Sequence, residues 1–328
     1  MKNKNAKKLS TALTQHCDDL QIYANGVAED AVSEFADSET AIMEIIYLLY
    51  AKFHEKGIPK TYAIVKYLES VKEKLTETRN ISAQKVLKII QDSTDDITKN
   101  ESKWLYAFFS ALAIGAGVSR LQADTYRKIA KYGIYNGNTQ KQLVEKILSG
   151  DSKRIYEAAI KGLKDGATLA ELRSAVRSEM LKTRRYVKLE VESVINGVVN
   201  DSTLAFAAVN DANLMYVAVL DMSVCEECAS HDGEIYSPDD PAIPGIPRHF
   251  DCRCRLIPVP FNQVHEIIMP FSDYFLTLAQ SEQRERLGRA KYNSWKLGQY
   301  VLKAYEAPPA GLRITIDELR ERDIEALA

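Results

Sequence analysis

The chain has 328 residues, of which 46% are hydrophobic and 27% charged, the composition of a soluble chain long enough for two or three domains. With 43 basic and 45 acidic residues the formal net charge is -2, so no global positive field draws the protein onto nucleic acid. The start, Met1-Lys2-Asn3-Lys4-Asn5-Ala6-Lys7-Lys8, is basic but no apolar core follows it, which predicts no secretory signal and thiols kept reduced in a cytoplasm.

Residues 1 to about 200 read as helical, with Pro59 the sole proline. The run Ala41–Tyr50 is apolar almost all round and predicts a buried helix, stopped by Gly57-Ile58-Pro59. Further helices are predicted over Thr61–Leu75, Ser82–Ile90 and the Trp104 segment, the last followed by a more polar run to Lys131. The stretch Trp104–Val118 is the longest uncharged apolar one. It falls short of the roughly 20 residues of a membrane span and predicts a core helix, so no stable membrane insertion is expected.

One motif occurs twice. Gly137-Asn138-Thr139-Gln140-Lys141-Gln142-Leu143 and Gly166-Ala167-Thr168-Leu169-Ala170-Glu171-Leu172 each contain Thr-x-x-Gln/Glu, a capping box, and predict two helix starts made alike. The second opens a long helix, Leu169 to Ala208, with Val187, Val191, Val194, Ile195, Val198 and Val199 as its apolar stripe. At Leu214–Leu220 the period changes to that of a strand. Prolines 238, 241, 244 and 247 then impose an extended loop, and Leu256–Pro260 reads as a short edge strand because proline cannot donate to a central ladder. Helices return from about Phe271, strongest across Gln283–Tyr305, until Pro308-Pro309. A short strand, Leu312–Ile316, and an Asp317-capped helix end the chain. The fold class is mainly α: an elongated helical N-terminal half, a small α+β module with a Cys/His zinc-type site, and C-terminal helices. The expected divisions are 1–132, 133–210, 211–306 and 307–328.

Four of the five cysteines lie in one 30-residue stretch, as Cys225-Glu226-Glu227-Cys228 and Cys252-Arg253-Cys254, with His249 three residues before the second pair. A Cys-x-x-Cys turn brings two thiolates to one point and a second Cys/His group closes a tetrahedron, the ligand logic of structural zinc. Cys225, Cys228, His249, Cys252 and Cys254 are five candidates for four positions, and spacing alone does not choose among them. His231 is a weaker sixth. Two disulfides are the competing reading, disfavoured without a secretion signal. Catalytic zinc of the deaminase kind needs His-x-Glu or Cys-x-Glu upstream of Pro-Cys-x-x-Cys; the upstream histidines read His16-Cys17-Asp18 and His54-Glu55-Lys56, and Val224 rather than proline precedes Cys225, so no enzyme is expected. No phosphate loop, nucleophile elbow or His-Glu-x-x-His helix occurs. Arg284, Arg286, Arg289 and Lys291 form a basic cluster near Trp295, read as a solvated face or a phosphate contact.

These pieces, in order, carry a family likeness. A strand ends in Asp221 and is followed by Ser223-Val224-Cys225-Glu226-Glu227-Cys228 and Asp232-Gly233-Glu234-Ile235-Tyr236. A proline-rich loop leads to Pro247-Arg248-His249-Phe250-Asp251-Cys252-Arg253-Cys254, and Gln283-Arg284-Glu285-Arg286-Leu287-Gly288 comes last. Over roughly residues 185–300 the chain resembles the phage Mu F-like minor head proteins, the phage head morphogenesis domain. It departs from them at Val224, where relatives often have threonine, and at Lys188–Glu192, where they often carry Arg-Thr-Glu. The resemblance implies a low-copy minor capsid protein in the virion, inside the head near the portal vertex, and in the host cytoplasm during assembly. It implies a role in procapsid assembly and in DNA packaging or ejection. The phage portal protein is the implied partner, with the major capsid or scaffolding protein and packaged DNA as further candidates. The alternatives from other classes are a zinc-dependent nucleic-acid-processing enzyme and a zinc-ribbon DNA-binding protein.

Overall fold

A computed structural model describes residues 2–55, 57–59, 61–112, 117–135, 137–218, 226–249, 252–259, 275–299 and 311–327. In chain order the elements are α1 (Lys2–Phe53), α2 (Tyr62–Leu112), α3 (Ala123–Tyr132), β1 (Ile134–Tyr135), β2 (Asn138–Thr139), α4 (Gln140–Lys164) and α5 (Leu169–Asn210). They continue with β3 (Asn213–Val217), α6 (Glu226–Ser230), β4 (Ile235–Tyr236), β5 (Arg255–Val259), α7 (Gln280–Lys296) and α8 (Ile316–Leu327). The fold is mainly α with a small antiparallel sheet, as the sequence predicts. No helix among the described residues is long and apolar enough to cross a membrane.

Several boundaries differ from the sequence reading. The helices expected at 61–75, 82–90 and 104 onward are one 51-residue helix, α2, because no glycine or proline interrupts residues 62–112. The 41–50 segment is the end of the 52-residue α1, and it is amphipathic rather than buried all round. Ile42, Ile46 and Leu49 are buried, while Tyr47 and Leu48 are exposed. It stops where expected, with Gly57 at φ 66° and its N–H bonded to Phe53 O. The strand expected at 312–316 is not formed. Residues 312–315 are irregular, and Thr315 rather than Asp317 caps α8, its hydroxyl accepting from Glu318 N while Glu318 accepts from Thr315 N. Both predicted capping boxes are present: Thr139 with Gln142 and Thr168 with Glu171. The expected helical stretches around 271 and up to 305 reach outside the described residues; α7 lies between them. It is broken at Gly288, whose φ of 69° with ψ of 162° is open to glycine alone.

The chain divides into two compact units. One holds Met1–Gly26, Ser93–Asn136 and Glu192–Ala328; the other holds Val27–Asp92 and Gly137–Val191. Each unit is assembled from separated stretches of the chain.

The second unit has a core around Ile42, Ile46, Leu75, Ile155, Val176 and Met180. Near it the fully buried Arg79 pairs with Asp151 at 2.5 Å. Its guanidinium also donates to Phe35 O at 3.1 Å and Ser38 Oγ at 2.6 Å, and lies over the Phe35 ring. Asp151 accepts in turn from the Thr183 hydroxyl. Loss of either charge here would leave the other buried and alone, the costly case for such pairs.

The first unit contains the cysteine site. Its core joins Leu13, Trp104, Phe108, Phe109, Phe206 and Tyr216, so the Trp104 segment is the core helix the sequence predicts. Three buried acids and bases near the start of α1 tie it to the C-terminal helices. His16 Nδ1 lies 2.6 Å from Asp323 Oδ1 on α8, and Nε2 lies 3.1 Å from Glu101 Oε1 on α2. The imidazole stacks on Trp104 at 3.6 Å between ring centres. Asp18 holds Arg286 of α7, and Asp19 accepts from Arg322 of α8 at 2.7 Å. Burial alone would lower the His16 pKa. The Asp323 and Glu101 carboxylates outweigh it and raise the group to about 10. A base raised from its ordinary 6.5 to about 10 stabilises the fold fully below pH 6.5, and that contribution is lost as pH rises through 10. His16→Ala is expected to lose about 3–5 kcal/mol at pH 6, because two buried carboxylates lose their counter-charge. Urea unfolding at pH 6 and pH 10 measures this: the gap between wild type and variant should narrow at the higher pH.

Candidate metal centre

The central strand β3 alternates half-buried and buried residues, so Leu214 and Tyr216 face the core. β4 pairs with one edge of β3 and β5 with the other, Tyr216 lying opposite Leu256. β5 is thus an edge strand, and its Pro258 is tolerated there as expected. Between β4 and β5 the residues from Ser237 to His249 form turns and bends without helix or strand, as the prolines dictate.

Cys228 lies on the short helix α6, while Cys252 and Cys254 lie just ahead of β5. The three sulfurs lie within 4.8 Å of one another, and all three residues are buried. His249 Nε2 is 3.4 Å from Cys228 Sγ. Around an ion with bonds of about 2.3 Å to sulfur and about 2.0–2.1 Å to nitrogen, tetrahedral geometry sets a sulfur–nitrogen edge of about 3.5 Å and sulfur–sulfur edges of about 3.8 Å. The donor set fits a thiophilic metal. Cys17, Cys228, Cys252 and Cys254 form no disulfide, so the disulfide reading has no support among the described residues. Cys225 lies outside the described residues. His231 turns elsewhere, its Nδ1 lying 2.7 Å from Glu234 Oε2 and 2.9 Å from the Tyr236 hydroxyl. Cys17 is buried among Leu13, Trp104 and their neighbours, apart from this cluster, and burial pushes its thiol up to about 12.

The electrostatics already favour partial ionisation. A hydrogen bond from the Cys254 thiol lowers Cys252 below the ordinary thiol value despite its burial, and the same bond, with burial, pushes Cys254 up.

Two residues that sequence reasoning missed hold the ligand segment in place. Asn196 and Asn200, four apart on α5, are buried at its apolar stripe. Asn196 donates to Cys252 O at 3.3 Å and accepts from the Arg255 guanidinium at 2.9 Å. Asn200 accepts from Leu256 N at 2.7 Å and lies at the limit of donation to Cys254 O, 3.4 Å away. The side chains of α5 thus supply the bonds that a neighbouring strand would give. Gly197, between them, lets the chain approach closely: a Cβ there would stand 2.3 Å from the Tyr135 ring and 3.2 Å from Pro247 Cδ. The available signal was a pair of amides at helical spacing on an otherwise apolar face. Arg248 pairs with Glu227 of α6.

Residues 153–257 match the family described as Phage Mu protein F like protein. The chain carries a Mu F-like domain. The match runs from within α4 through α5, β3 and the cysteine segment into β5, and it ends before α7. It begins earlier and stops earlier than the likeness at 185–300 read from the motifs. No curated protein and no solved structure matches the chain. The Mu F-like domain points to a phage head morphogenesis protein.

Asn200→Ala should cost about 2–3 kcal/mol, since it strands the Leu256 N–H and weakens the hold on Cys254 O. Denaturant unfolding measures the loss, and hydrogen exchange should show faster exchange at Leu256 than at Leu148 of α4.

Proposed function

We propose that the protein is a minor head protein of a phage, present in few copies at the portal inside the head and acting in procapsid assembly and in DNA packaging or ejection. The supporting observation is the Mu F-like match across the segment that holds α5, the sheet and the buried cysteines. Portal protein is the proposed partner, with capsid or scaffolding protein and packaged DNA as further contacts. The N-terminal helices have no assigned role.

In this reading the metal is structural Zn²⁺. Cys228, Cys252 and Cys254 supply three ligands and His249 the fourth, with Cys225 as the competing fourth. Either choice closes the tetrahedron and leaves no position for water, which fits a structural role rather than catalysis. The ion's contribution is to fix a proline-rich segment; no reaction step depends on it.

Two measurements test the proposal. Labelled full-length protein located at the portal vertex of intact particles by cryo-electron microscopy, together with its co-sedimentation with purified portal, supports it. A location in the outer shell, or turnover of DNA by the purified protein, overturns it. For the metal, the reduced protein should contain one zinc, and stripping it with a chelator should lower stability by about 4 kcal/mol or more, as binding at 1,000 times the dissociation constant implies. Over a domain of this size that is roughly 8–16 °C in the thermal midpoint. Cys252→Ser should reproduce the loss without chelator.

A further inference from the structure

Tyr216 is the fourth of the five residues of β3 and has no exposed surface. Its backbone is fixed on both sides: its N–H donates to Glu234 O at 2.9 Å, its carbonyl accepts from Gly233 N at 2.8 Å, and it registers with Leu256 on β5. The ring is tilted against His231 at 5.5 Å. From this rigid base the phenol hydroxyl enters the buried core that also holds Cys228 and Cys254, and Leu256, opposite Tyr216 on β5, is two residues beyond Cys254. Yet it makes no hydrogen bond of ordinary geometry among the described residues. A buried hydroxyl left without a partner costs about 1–3 kcal/mol, and neutral thiols are weak acceptors. Metal-bound thiolates are strong ones, and ligands of this kind are regularly oriented by hydrogen bonds from groups behind them.

We propose that the Tyr216 hydroxyl is the hydrogen-bond donor that steadies the metal-bound thiolates of Cys228 and Cys254, a positioning residue of the metal centre. The inference rests on the metal reading given above. The hydroxyl is a donor placed in advance. It relieves negative charge that accumulates on the sulfurs when three thiolates meet one divalent ion. It also fixes the direction of their remaining lone pairs.

The test uses full-length reduced protein loaded with Zn²⁺ or Co²⁺. Tyr216→Phe keeps the ring and its packing and removes only the donor. It should weaken zinc binding by about 10–100-fold in chelator competition, the usual effect of removing such a partner. The sulfur-to-cobalt charge-transfer band should move to lower energy, since thiolates that lose a hydrogen bond give up electrons more easily. Replacement of Tyr216 by 3-fluorotyrosine, a more acidic donor of nearly the same shape, should move the band the other way; a residue that merely fills space would produce neither shift. Unchanged affinity and an unchanged band in both variants overturn this proposal alone. Failure of the wild-type protein to bind either ion overturns the metal centre, and this proposal with it.

Discussion

The convergence of three buried thiols on the face of β3 is the constraint around which the first unit is organised. Three parts of the chain meet there, each with little to hold it in place alone. α6 is five residues long, too short to be stable by its own hydrogen bonds. β5 is an edge strand containing a proline. The loop between β4 and β5 places few apolar side chains against the core, Ile243 and Ile246 among them. Fixing each residue of such a loop costs about 1–2 kcal/mol of backbone entropy. Hydrophobic burial on that scale is not available to it. The restraints present are polar and local: the sulfur cluster, the amides of α5 and the Arg248–Glu227 pair.

The helical remainder obeys a different economy. α1 and α2 exceed 50 residues, and their exposed faces rely on propensity and on pairs four apart such as Lys88–Asp92 and Lys99–Asp95, each worth only a few tenths of a kcal/mol. What binds their buried faces is apolar packing interrupted by a few charged clusters. His16 between Asp323 and Glu101, and Arg79 on Asp151, add little net stability over a hydrophobic equivalent. They do add selectivity of register. A helix sliding by one turn past its neighbour would strand a charge in the core, so the clusters permit one alignment of α8 on α1 and α2, and one of α2 on α4.

How much of this was legible in the sequence follows from the reach of each interaction. Thr139 and Thr168 announce their helix starts because the partner glutamine or glutamate is three residues away. Thr315 with Glu318 carries the same signal, and Asp317 obscured it only by being another plausible cap. The meeting of the Cys252 and Cys254 sulfurs was legible through spacing, because Cys-x-Cys already confines them. The length of α2 was legible in principle: weak helix formers such as Thr, Ser and Asn between 76 and 100 lower local propensity, but only glycine or proline ends a helix that is packed on both sides of the weak stretch. The clusters joining residue 16 to residue 323, or 79 to 151, were not legible. Nothing near His16 in sequence distinguishes it from a solvated histidine, and its meaning exists only once α8 is folded back beside it. Asn196 and Asn200 are intermediate: their place on an apolar stripe marks them as unusual, but the backbone they serve begins 56 residues later.

The two kinds of restraint on the ligand segment differ in what they depend on, and that difference bears on the portal reading. Asparagine bonds to the backbone of Cys252–Leu256 form whenever α5 and β5 are folded, whatever the solvent holds. Coordination forms only with thiolates and an ion, and therefore requires reducing conditions and a supply of metal. The amides fix the path of the chain entering β5. The ion would fix what lies outside that path: α6, His249 and the proline loop whose turns face outward. A surface that is ordered by coordination rather than by core burial can present backbone and polar side chains to another protein without paying the entropy of ordering them at the moment of contact. On the proposed function, such a surface would have to recognise a ring of portal subunits from a protein present in few copies. Preorganisation of this sort raises the affinity of one small contact where repetition of contacts is not available.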